Sequence, residues 1–143
     1  MTDQIHLRLG ARPWCPADTA RPGKVLNFYD IPLAGILRQH RRYFLFECLE
    51  GETQDASLWT YVPIARRDAR RLAQLTGDRL VDAMHAAYRQ QSIMVAVAVD
   101  GRIEFGECVN VRTEETYRAD VKSAVKAKAD RDSSAVDGLL AAV

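Results

Sequence analysis

Over residues 92–111, apolar positions fall in two runs that meet at Asp100-Gly101. The first, from Ile93 to Val99, is apolar at every position, and the second alternates from Arg102 onward. Asp-Gly between apolar runs predicts a β-hairpin, because a type I′ turn requires positive φ at both central residues. A two-residue turn also predicts the register: Val99 faces Arg102, Ala98 faces Ile103, Val97 faces Glu104 and Ala96 faces Phe105. A strand apolar on both faces suits the interior of a sheet, and an alternating one suits its outside.

The same alternation predicts short strands at residues 5–9 and 25–29, and a hairpin of residues 33–37 with 43–49 joined through the polar stretch 38–42. A further strand is predicted at residues 58–64. Residues 10–24 carry Pro13, Pro16, Pro22 and Gly23 and read as a loop, in which Trp14-Cys15-Pro16 forms an apolar plug over the core. The period then changes. Ala69, Leu72, Ala73 and Leu75 predict a helix over residues 66–75, with Asp68 in its first turn and Gly77 placed to end it. Leu80, Met84, Ala87 and Tyr88 form an i, i+4, i+7, i+8 stripe over residues 78–90, capped by Asp78. Thr113 is placed to start a third helix reaching about residue 129. The predicted class is therefore α+β: an antiparallel sheet of about six or seven strands, two consecutive helices on one face, and a C-terminal helix. Residues 1–112 form a single α+β domain in this reading, and residues 113–143 a C-terminal helix with an apolar-ended tail.

Composition narrows the function classes more than it selects one. Twenty Lys and Arg against 19 Asp and Glu leave a net charge of +1 over 143 residues, so a charged partner must be met by a local patch. No apolar run approaches the roughly 18 residues of a membrane span, and the first four residues do not resemble a signal peptide. The expectation is a cytoplasmic protein with no membrane partner. Cys15, Cys48 and Cys108 are odd in number and lack a C-x-x-C pair, which predicts reduced thiols. His6, His40 and His85 show no ligand spacing, so neither a metal nor a cofactor is expected.

Three groups of residues carry candidate chemistry. The predicted hairpin register puts Glu107 on the face of Phe105 and Val109, where burial would raise its pKa toward that of a general acid. A bulge at Gly106 would instead turn it to water, and the cost of an unpaired buried carboxylate favours the bulge. His85 with Cys108 or Cys48 is the alternative catalytic pair, although such cysteines more often fill sheet positions as small hydrophobes.

The second group is the arginines. Arg38, Arg41 and Arg42 crowd a hairpin tip, and Arg66, Arg67, Arg70 and Arg71 crowd the start of a helix, with Tyr43, Phe44, Phe46, Trp59 and Tyr61 near in sequence. Arginines beside an aromatic-bearing sheet are the means by which single-stranded RNA is held. The competing expectation is that these arginines are solvated or paired with Glu47, Glu50, Glu52 and Asp55. The third group is Tyr117, Val121 and Val125, a narrow helical stripe, followed by Leu139 and Leu140 in the apolar terminus. Together they predict a partner-binding element, or at the very end a docking or degradation signal.

The run Tyr29-Asp30-Ile31-Pro32-Leu33, the hairpin to Leu49 and the strand ending Val62-Pro63-Ile64 before two helices are similar to a family of small bacterial domains. These domains open on Tyr-Asp-x-Pro-Leu and end a meander on Val-Pro-Ile or Val-Pro-Val. The resemblance covers about residues 25–88 and brings no activity or catalytic residue with it. It implies a bacterial cytosolic accessory protein, of the sort found beside partner-encoding genes; the small size and plain composition fit a role in defence, toxin neutralisation or regulation. The first functional reading is thus a non-enzymatic interaction module that binds a protein partner or a second copy of itself. A nucleic-acid-binding module using the arginine clusters is the alternative, and a small enzyme using Glu107 or a Cys/His pair is the third.

Overall fold

A computed structural model describes residues 4–51 and 55–131. Six antiparallel strands follow one another in space as they do in sequence: β1 (Ala20–Tyr29), β2 (Ile31–Gln39), β3 (Arg42–Glu50), β4 (Ala56–Ile64), β5 (Ser92–Val99) and β6 (Arg102–Asn110). Helices α1 (Arg66–Leu72) and α2 (Gly77–Ala86) lie between β4 and β5, and α3 (Tyr117–Arg131) follows β6. The class is α+β with six strands. The inner strands β2 to β5 bury side chains on both faces of the sheet, and different parts of the chain cover the two faces.

On one face Leu45, Leu58, Val62, Ile93, Val95 and Val97 pack against Ala69, Leu72, Met84 and Tyr88 from α1, α2 and the turn that follows. Tyr117, Val121 and Val125 of α3 belong to the same core, with Val121 fully buried. The stripe expected to meet a partner therefore meets the chain's own sheet. Asp120 anchors the entry to α3. It accepts from the Arg112 backbone N–H and from Arg112 Nε, each at 2.9 Å, and from the Thr116 hydroxyl at 3.0 Å. The Arg112 backbone N–H, followed by the other bonds from Arg112 and Thr116, holds the Asp120 carboxyl below its usual pKa despite partial desolvation.

The other face is aromatic. Phe44, Phe46, Trp59 and Tyr61 form its centre, with Ala96, Ala98 and Ile103 beside them. Residues 4–19 cover it as a strap rather than as the strand that Ile5, Leu7 and Leu9 predict. The backbone of His6 finds its partner in a side chain: its N–H donates to Gln39 Oε1 at 2.7 Å, and Gln39 Nε2 donates back to His6 O at 3.1 Å. Farther on, Gly10 donates to Ile103 O and Ile103 donates to Ala11 O, both at 2.8 Å. Trp14 lies on Trp59 with ring centres 6.0 Å apart, and the Tyr61 hydroxyl donates to Pro13 O at 2.5 Å. Trp14 thus acts as the plug its setting suggests.

The β5–β6 register begins as the turn predicts, with Val99 opposite Arg102 and Ala98 opposite Ile103. It then shifts by one residue, so that Val97 faces Phe105, Ala96 faces Gly106 and Val95 faces Glu107. The irregularity sits at Glu104, and Gly106 is regularly paired. Gly106 instead makes room for the strap: a Cβ there would stand 2.8 Å from Leu7 Cδ1, whose side chain would have to shift. With the bulge at Glu104, Glu107 is not turned to water. It lies half-buried on the helix-covered face, opposite Val95.

That position completes a transverse row. Ala34 pairs with Glu47, Glu47 with Thr60, Thr60 with Val95 and Val95 with Glu107, so three polar side chains cross the middle of an apolar face. Tyr88 descends onto this row. Its hydroxyl donates to Glu47 Oε1 at 2.8 Å, and the Thr60 hydroxyl, 2.6 Å away, donates to it in turn. Leu139 and Leu140 lie outside the described residues.

Candidate nucleic-acid interface

An antiparallel meander places every second turn at the same end of the sheet. The β2–β3 turn, the end of β4 and the start of β5 therefore meet, and the register makes this concrete: Gln39 pairs with Arg42, and Tyr43 with Ile64. Arg38, Arg41 and Arg42 from the turn are thereby brought beside Arg66 at the start of α1. The four line a cleft of about 480 Å³ together with Tyr43 and residues Pro63, Ile64 and Ala65. No carboxylate lines it. All four arginines are exposed, and Arg38 lies with its guanidinium carbon 5.8 Å from the centre of the Tyr43 ring.

Two further clefts adjoin this one. Arg38 is shared with a cleft of about 400 Å³ that also holds Arg21, His40, Asp18 and Thr19. Pro63, Ile64 and Ala65 are shared with a third, about 280 Å³, where Arg71 and Arg89 stand with Asp68. A continuous track thus runs from Arg21 at one edge of the sheet to Arg89 ahead of β5, and seven arginines flank it against two aspartates. Asp18 is itself within 3.9 Å of Arg8. Arg67 and Arg70 are exposed on α1 but line none of the three clefts. Arg21 and Arg89 stand alone in the sequence, and only the topology brings them to the track.

Of the carboxylates expected to neutralise these arginines, Glu47, Glu50 and Asp55 lie elsewhere. Glu50 stands eight residues beyond Arg42 along β3, about 27 Å at the usual strand rise, and is paired with Lys122 of α3. Glu47 faces the helices and Tyr88. Asp55 belongs to the loop at the far end of the sheet, and Glu52 lies outside the described residues.

The candidate catalytic residues are not assembled. His85 is exposed on α2, on the helix side, with its ring 5.7 Å from that of Tyr117. Cys108 pairs with Met94, whose side chain packs on the strap side, so the imidazole and this thiol stand on opposite faces of the sheet. Cys48 also packs on the strap side. Among the described residues no three His, Cys, Asp or Glu side chains group to hold a metal ion, and no helix is long and apolar enough to cross a membrane. No family model, no curated protein and no solved structure matches the chain.

Proposed function

We propose that the chain is a cytoplasmic, non-enzymatic module that binds single-stranded nucleic acid along the arginine-lined end of its sheet. The observation that carries this reading is the convergence of Arg38, Arg41, Arg42 and Arg66 on one cleft whose lining contains no carboxylate. With a net charge of only +1, such a concentration at one end leaves the rest of the chain net acidic, which orients a polyanion on approach. Exposed guanidinium groups bind phosphate oxygens in pairs, and Tyr43 among them supplies a ring for a base to stack on. The test is anisotropy of a labelled single-stranded RNA against salt. Four phosphate contacts give a log–log slope near −3, from about −0.7 per contact. If nothing binds at about 50 mM salt, where such contacts are strongest, the proposal fails.

A second reading, an interaction module for a protein partner or a second copy, draws support from Phe28 and Tyr29. These two residues end the edge strand β1 and are 63% and 65% exposed. Self-association measured by sedimentation, and lost on Phe28→Ser with Tyr29→Ser, is its expected signature. A wild-type chain that stays monomeric rules out the homo-oligomer.

A further inference from the structure

A fourth cleft, about 590 Å³, opens between the β1–β3 side of the sheet and α2, and it shares no lining residue with the arginine track. Its volume lies within the roughly 300–1,000 Å³ of small-molecule sites. Leu26, Leu80 and Met84 give it apolar walls, Glu47 and Arg118 bring opposite charges to it, and Asp78 and His85 of α2 also line it.

The state of Glu47 shows what the cleft lacks. One carboxylate oxygen is held by Tyr88, whose ring stacks on Tyr117 with centres 3.8 Å apart and whose hydroxyl is fixed by Thr60. The acceptor is therefore rigidly placed. Among the described residues no cation stands within 4.0 Å of it. Burial raises its pKa, and the bond from Tyr88 with the more distant charges of Arg118 and His85 only partly offsets this. A cationic ligand group beside the carboxylate would supply the missing charge. Arg118 sets the complementary requirement: it is exposed, it donates to Leu49 O at 3.1 Å and its guanidinium carbon lies 5.6 Å from the centre of the Tyr117 ring, which leaves part of its five-donor fork for a ligand. A simple amine would leave Arg118 without a counter-charge and a simple acid would leave Glu47 without one, whereas a zwitterion satisfies both.

We infer that this cleft binds a small apolar α-amino acid, with its ammonium on Glu47, its carboxylate on Arg118 and its side chain against Leu26, Leu80 and Met84. The inference stands apart from nucleic-acid binding. The test is calorimetric titration of the full chain with L-phenylalanine, N-acetyl-L-phenylalanine and L-phenylalaninamide. L-Phenylalanine is expected to bind saturably at one site, with a dissociation constant at or below about 1 mM. Each analogue, lacking one charge, should bind at least about tenfold more weakly. Glu47→Gln keeps an acceptor for Tyr88 and should abolish the difference between L-phenylalanine and its N-acetyl form only. Arg118→Gln should abolish the difference from the amide only. Absence of saturable heat to about 10 mM, or equal binding of all three compounds to the wild-type chain, overturns the assignment.

Discussion

The two ends of the sheet are built from the same kinds of connection and carry opposite chemistry. At one end the turns hold Asp30, Asp55, Asp100 and Gly101; Asp30 and Asp100 adopt φ of 63° and 53°, a conformation aspartate tolerates well. The cations there have structural work: Arg12 Nη1 donates to Gly101 O at 3.2 Å and Arg102 Nη1 to Gly10 O at 2.9 Å, which tie the strap to the β5–β6 hairpin. At the other end the β2–β3 turn is His40-Arg41, with His40 at φ 58° in a position where glycine is usual. Folding chemistry accounts for the aspartate end. At the other end one arginine has such work, Arg38 Nε donating to His40 O at 2.9 Å, while four arginines and a histidine gather around clefts, the concentration on which the proposed nucleic-acid binding rests.

The comparison breaks most visibly under charge reversal. Arg41→Glu with Arg42→Glu should lower affinity for single-stranded RNA by about a hundredfold at low salt, while the melting temperature stays within about 2 °C, as expected for exposed substitutions. Asp30→Asn with Asp55→Asn at the far end should change affinity by less than about twofold. Equal losses from both pairs would mean that the arginine end is not the binding surface. Tyr43→Leu comes next, with an expected loss of about tenfold in affinity from the missing stack and an unchanged salt slope. A changed slope would show that Tyr43 acts by placing Arg38 rather than by touching a base.

Arg112 sharpens the contrast from within, since it follows β6 at the same end as the track yet is committed to Asp120. Asp120→Asn should cost about 1 kcal/mol at pH 7, seen in denaturant unfolding, with RNA affinity unchanged. The lowered pKa of Asp120 gives stability that is fully present above its ordinary value of 3.8 and is lost as pH falls through the lower folded value. The difference between wild type and variant should therefore narrow below pH 3.8. The smallest effect is expected from His40→Gly, which relieves the left-handed backbone and should raise stability by about 0.5 kcal/mol. If it lowers stability instead, His40 is held by the fold and not retained for binding.

The sequence makes the sheet and helices legible because their signals are local. Asp100-Gly101 names its own turn, and the stripe through Leu80, Met84 and Tyr88 names a helix face. Signals fail where a long-range contact decides. The alternation of Ile5, Leu7 and Leu9 is that of a strand, yet residues 4–19 form a strap whose His6 is met by the Gln39 side chain. The bulge at Glu104 has no glycine to announce it, while Gly106, which suggests a bulge, answers to Leu7. Each arginine cluster is visible as a run, but the track needs the fact that the β2–β3 turn and the end of β4 lie at one end. Tyr88 fits the helical stripe so well that nothing in the pattern marks its hydroxyl as the partner of Glu47.

The strap has a consequence for the order in which the molecule assembles. Within the meander each strand pairs with its neighbour in sequence, so most of the sheet forms from local encounters. The strap is the exception: Gln4 donates to Ser92 O and Gly10 to Ile103 O, across 88 and 93 positions of the chain. A segment synthesised before the sheet thus finds its place only after the sheet's last two strands are made. Until β5 and β6 have been synthesised, Trp59, Tyr61 and Phe46 wait without their cover, and that interval is when a nascent chain is most exposed to aggregation.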